Sequence, residues 1–219
     1  TRNRLETPYR QTKRLYRFAC MLNETERDDL PEPDYSDPEI LLLKGGTKDS
    51  LIEWVAGRIR DIYKLSNNRL PTLGIVVPGE KEILEVTKSL GDALHDDSIE
   101  VEGSYGGQSL GVESKVRVFS VEHIKGVEFE AVIFLWFDRV ADMYPQLYKN
   151  FLYVGSSRSR RFLAFTTDSS WPQNLGFVES EISDSQEFIN EQTPLSWRSY
   201  LSLEILDDPN AFPWTEQSL

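Results

Sequence analysis

Apolar and polar positions along the chain fall into alternating blocks with helical and strand periods. Between Thr7 and Leu22, the residues Tyr9, Leu15, Phe18, Ala19 and Leu22 recur at three- and four-residue spacings behind a Thr7-Pro8 start signal, which predicts a helix. PEPDYSDP at 31–38 breaks it. The run EILLLKGG at 39–46 is short and apolar, as a buried strand would be, and Leu51, Trp54, Val55, Ile59 and Ile62 predict a helix over 48–65. The same pair repeats at once. TLGIVVPG (72–79) reads as a strand closed by Pro-Gly, and EKEILEVTKSLGDALH (80–95) as an amphipathic helix. After a Gly/Ser-rich connection at 103–111, VRVFSV (116–121), AVIFLWF (131–137) and RFLAFTT (161–167) predict further strands, with a helix over 144–160.

Strands that alternate with helices and are apolar along their whole length belong in a sheet covered on both faces. The expected fold is therefore α/β, a three-layer αβα domain around a mostly parallel sheet. Periodicity decays after 168 into WPQNLGFVESEISDSQEFINEQ and a Pro- and Trp-containing end. The expected organisation is one domain over 1–168 and an acidic C-terminal extension over 169–219. No internal repeat or long low-complexity tract is present.

Composition narrows the function. The 219 residues carry 24 basic and 36 acidic side chains, a net charge of −12, which excludes a domain that grips nucleic acid by overall charge. One cysteine (Cys20) and two distant histidines (His95, His123) exclude a disulfide framework and a zinc cluster, so no metal site is expected. A reducing, cytoplasmic setting fits this usage. No apolar run reaches membrane-spanning length and TRNRLETPYRQTKR has no signal-peptide core, so no membrane partner is expected. The sequence opens on Thr1, inside an amphipathic segment, as a piece of a longer polypeptide would.

Doubly wound sheets bind ligands beyond the carboxyl ends of their strands, so polar residues in the loops between strands are the first candidates. Ser120-Val121-Glu122-His123-Ile124-Lys125-Gly126-Val127-Glu128-Phe129 is such a connection. Its glycine permits close backbone approach to a ligand, and its carboxylate can accept from a sugar hydroxyl. Alone it also reads as a tight turn with a solvated Lys and Glu. In Leu152-Tyr153-Val154-Gly155-Ser156-Ser157-Arg158-Ser159-Arg160, a guanidinium can stabilise charge on a transferring phosphoryl group. Arg158, Arg160 and Arg161 read equally as a basic patch at a helix end. In TPYRQTKRL, Tyr9 can stack on a base and Arg10 can reach a phosphate, although Tyr-Arg by itself is only a dipeptide.

Taken together and in this order, KGVEF before the strand AVIFL, YVGSSRS before RFLAFT, and the leading Tyr9-Arg10 resemble the second RecA-like motor domain of superfamily 1 (UvrD/Rep-like) helicases. The resemblance spans about residues 7–168, carried by the motifs alone. It implies ATP held between two RecA-like domains, with Tyr9 on the adenine, Arg10 and Arg158 at the γ-phosphate, and Gly126 and Glu128 on the ribose side. The phosphate loop and the Mg2+ ligands are implied in an upstream domain of the same polypeptide. No G-x-x-x-x-G-K-[ST] occurs here, and Lys44-Gly45-Gly46-Thr47-Lys48 has neither its spacing nor its hydroxyl residue, so the chain alone is expected to be inactive as an ATP hydrolase.

The resemblance further implies movement along a single strand of nucleic acid, with DNA expected before RNA, touched through Ser120 and His123. Glu122 departs from the family's pattern, since a carboxylate there repels a phosphate backbone. Only 110 residues separate Arg10 from Ser120, too few for the large subdomain many members insert. A competing reading is a non-catalytic RecA-like module that binds a protein through its acidic surface. An independent doubly wound enzyme would need its own phosphate loop or nucleophile, and no G-x-S-x-G or strand-linked G-x-G-x-x-G is present.

Overall fold

The computed structural model describes residues 11–23, 30–34, 36–66, 68–107, 115–124, 126 and 128–184. Tyr9 and Arg10, the start signal at Thr7-Pro8, and most of the acidic C-terminal segment lie outside them. Seven strands form one sheet in the order β3-β4-β2-β5-β6-β1-β7, and every pairing is parallel. They are β1 (Ile40–Lys44), β2 (Leu73–Val77), β3 (Val101–Ser104), β4 (Val116–Ser120), β5 (Phe129–Phe134), β6 (Ser159–Thr167) and β7 (Ile182–Asp184). The helices are α1 (Lys13–Leu22), α2 (Lys48–Leu65), α3 (Glu80–Leu94), α4 (Phe137–Met143), α5 (Tyr148–Ser156) and the single turn α6 (Gly176–Glu179).

The central strands carry apolar side chains on both faces, and each face builds its own core. Leu41, Leu43, Ile75, Val77, Val118 and Ile133 pack against Leu51, Val55 and Ile59 of α2 and Ile83, Val86 and Leu90 of α3. Ile40, Leu42, Val132, Phe134 and Phe165 face the other way, onto Leu15 and Phe18 of α1, Val140 of α4 and Leu152 of α5. This is the three-layer α/β architecture, and it is consistent with a RecA-like domain. Gly74, in the middle of β2, leaves room for the stacked rings of Phe119 and Phe129, whose centroids are 5.4 Å apart.

The boundaries of two expected elements shift. The strand expected over 131–137 starts two residues earlier and ends at Phe134, because Trp136 takes a left-handed conformation (φ 53°, ψ 51°) that turns the chain into α4. There its backbone N–H donates to Thr166 Oγ1 at 3.0 Å, and the Arg139 guanidinium lies over its ring at 4.7 Å. The helix expected over 144–160 contracts to α5, which begins at Tyr148 and ends at Ser156; Tyr144 only caps α4, ahead of Pro145, since the residue before a proline disfavours the helical region. Beyond 168 the described chain continues to pack on the sheet. Trp171, Leu175 and Val178 are buried in the second core, and β7 pairs with β1.

Candidate functional site

The connection from β4 to β5 runs from the carboxyl edge of the sheet back to its amino edge, so its two ends lie a strand length apart, roughly 17 Å. Ser120 closes β4 level with Val77, whereas Phe129 opens β5 beside Ser159. Of the expected site residues, Gly126, Glu128 and Arg158 therefore share the amino edge, and Ser120 and His123 stand together at the carboxyl edge. The expectation that chemistry gathers beyond the carboxyl ends of the strands is corrected for the first group, which sits where β5 and β6 begin.

At the amino edge, the Phe129 N–H donates to the Arg158 carbonyl at 2.8 Å, joining KGVEF to the arginine segment. Gly126 lies in an exposed turn at φ +87°, a region that L side chains rarely adopt, and an added Cβ there would meet open space. Glu128 is half-buried and faces Arg160 at 3.7 Å, while Arg161 pairs with the buried Glu130 at 2.7 Å. Two of the three arginines thus have carboxylate partners, Glu128 just before β5 and Glu130 on it. Arg158 differs: it occupies the turn between α5 and β6, not the helix itself, and its buried Nε has no hydrogen-bond partner among the described residues. A guanidinium N–H removed from water and left unbonded is costly, and an anion would satisfy it.

At the carboxyl edge, Ser120 is fully buried with its Oγ 2.9 Å from His123 Nδ1, and the same ring nitrogen lies 3.7 Å from Glu80 Oε1. Glu80 also accepts the Gly106 N–H at 2.8 Å, which ties the turn after β3 to the start of α3. Burial first, then the Glu122 carboxylate, pushes the Tyr144 phenol above its ordinary value. Of the two residues expected to touch a strand, only His123 has an exposed surface.

Glu80 and Tyr144 were not foreseen from the sequence. Each acts through a partner distant in the chain, and no local pattern announces such a pair. Among the described residues no group of three or more His, Cys, Asp or Glu side chains could hold a metal ion, and no helix is long and apolar enough to cross a membrane.

Both groups and both edges fall within residues 115–166, which match the family model of the UvrD-like helicase C-terminal domain. Among solved structures the chain is similar to the C-terminal domain of a possible DNA helicase from Lactobacillus plantarum WCFS1, at 18% identity and a TM-score of 0.55. That alignment covers 82% of this chain and all of the other, a likeness of fold. No curated protein matches the sequence.

Proposed function

We propose that this chain is the second motor domain of a superfamily 1 helicase and forms one wall of an ATP site. The other wall, with the phosphate loop and the Mg2+ ligands, belongs to a RecA-like domain upstream in the same polypeptide. The observation that carries this reading is the Phe129–Arg158 hydrogen bond, which sets two motifs of the family-matched segment side by side on one sheet edge.

The residues fit a nucleotide in chemical kind. Arg158 offers an unbonded, buried N–H to a phosphate, and Glu128 offers a half-buried carboxylate to a ribose hydroxyl. Gly126 keeps that approach free of a side chain. Tyr9 stacks on the adenine and Arg10 joins Arg158 at the γ-phosphate. ATP supplies the phosphoryl group whose transfer to water drives the motor. The permanent charge of Arg158 stabilises the charge that develops on that group. Closure of the two domains brings the arginines to the phosphate, and reopening advances the motor along a single strand, DNA in the first instance.

A second reading, a non-catalytic module that docks a protein through its acidic surface, is favoured by one observation. Glu80 and Glu122 flank His123 at the carboxyl edge, where a phosphate backbone would be repelled. ATP hydrolysis by the full polypeptide, measured with and without single-stranded DNA or RNA beside the isolated chain, separates the two. The motor reading expects strand-stimulated turnover in the full polypeptide and none from the isolated chain. A full polypeptide without strand-stimulated turnover would favour the docking module.

A further inference from the structure

We infer that Gln11 is a positioning residue for Arg158, an inference that rests on the ATP-site reading above. A helix leaves its last carbonyls without internal partners, and α5 ends at Ser156, just before the arginine turn. The Val154 carbonyl accepts from Ser157 Oγ at 2.7 Å, and the Gly155 carbonyl from the Arg158 N–H at 3.0 Å. Among the described residues the Ser156 carbonyl has no such local donor. It accepts from Gln11 Nε2 at 3.0 Å, and the same amide donates to the Ser159 carbonyl at 2.6 Å.

These are the two ends of the turn that presents Arg158. One amide group therefore bridges the last residue of α5 and the first residue of β6, using both of its N–H groups. The adjoining Thr12 N–H extends the clamp by donating to the Arg160 carbonyl at 3.1 Å. On the opposite side, β5 holds the Arg158 carbonyl through Phe129 at 2.8 Å. The Arg158 backbone is gripped from both sides, by a neighbouring strand and by a side chain 145 residues away from Ser156 in sequence.

Gln11 also follows Arg10 directly in the chain. The two arginines assigned to the γ-phosphate come from opposite ends of the domain, and Gln11 links one end to the other. Arg158 projects from a turn, so its guanidinium inherits any slack in the backbone beneath it. Phosphoryl transfer is sensitive to such slack, because a displacement of about 1 Å can cost about 100-fold in rate. Gln11 touches no nucleotide in this scheme, so its loss should act on the chemical step and leave ground-state affinity nearly unchanged.

The test uses the full polypeptide. Gln11→Met keeps the length of the side chain and removes both donors. It should lower kcat by about 10- to 100-fold with KM for ATP within about threefold. Gln11→Lys, which restores N–H donors at similar reach, should recover most of the loss. In an Arg158→Lys background, where residual turnover remains measurable, Gln11→Met should cost less than about twofold, since it acts through the arginine. Should Gln11→Met not fold, Gln11→Asn, whose shorter arm cannot bridge both carbonyls, takes its place with the same expected split.

An unchanged kcat in the donor-less variant would overturn the inference. So would an equal fall in both backgrounds, which marks general destabilisation. Arg158→Ala, run alongside, separates this from the parent reading. Full turnover by Arg158→Ala sinks the ATP-site assignment itself, whereas loss of turnover there with an unaffected Gln11→Met sinks only the role of Gln11.

Discussion

Gly155 sits on the face of α5 that rests against the sheet, and replacing it by alanine probes how tightly the arginine segment is seated. An ideal Cβ at this position would lie 2.2 Å from Phe134 Cζ, 2.8 Å from Ile124 Cδ1 and 3.0 Å from Phe134 Cε2. Phe134 cannot swing aside. It is fully buried, stacked on Phe165 with ring centroids 5.3 Å apart and edge-on to Phe137 at 5.7 Å. Since carbon atoms pack at about 3.5–4.0 Å, the helix must retreat from β5 by about 1.5 Å. Overpacking of a filled core costs about 1–3 kcal/mol, and this contact belongs at the upper end. Alanine's better helix propensity returns about 1 kcal/mol.

The expected net loss is about 2 kcal/mol, or about 4–8 °C in Tm for a domain of this size. Urea and thermal unfolding followed by circular dichroism measure it. In a Phe134→Leu background the same change should cost at least about 1 kcal/mol less, because the clashing ring atoms are gone. An unfolding midpoint for Gly155→Ala equal to or above that of the parent would refute the packing argument. Because α5 runs directly into the Arg158 turn, the displaced helix should lower turnover of the full polypeptide as well.

Two further outcomes are expected. Glu130→Ala removes the carboxylate that faces Arg161 at 2.7 Å and should cost about 2 kcal/mol in urea unfolding; this is below the usual range for a broken buried pair because Arg161 keeps 17% of its side chain exposed. The Tyr144 phenol is raised in the folded state by burial and by Glu122, so its contribution to stability is complete below the ordinary tyrosine value, near pH 10, and is lost as pH rises through the raised one. Tyr144→Phe should therefore flatten the alkaline decline of stability, and an unchanged decline would show that Tyr144 does not cause it.

Amphipathic periodicity carried most of the fold. The expected helix over 48–65 coincides with α2, and the next one ends within a residue of α3, because a buried stripe on a solvated helix leaves a clear trace. The strands at the sheet's edges left little trace. β3 (Val101–Ser104) has one buried residue of four and a central glycine, and β7 (Ile182–Asp184) has three residues in an acidic stretch. Both pair through backbone groups, for which side-chain pattern is silent.

The site divides in the same way. Gly126, Glu128 and Arg158 were picked out by motif, because each sits at a set distance from a following strand. Their meeting at the amino edge could not be read from a single stretch, since it depends on the parallel pairing of β5 with β6. The clamp by Gln11 and the pairing of Glu128 with Arg160 join residues that only the folded sheet brings together. Ser120 illustrates the opposite case. The family resemblance implied contact with a strand, and only the fold shows that it ends an interior strand and is buried, with its Oγ 2.9 Å from His123 Nδ1.

The central claim is that Arg158 completes an ATP site begun on another domain, and Arg158→Ala in the full polypeptide tests it most directly when nucleotide affinity and strand-stimulated turnover are measured on the same preparation. The expected result is turnover reduced by about 1,000-fold or more, the scale of an arginine that stabilises phosphoryl transfer, with nucleotide still bound at close to the parent affinity. Turnover within a few-fold of the parent, with nucleotide bound as before, would contradict it.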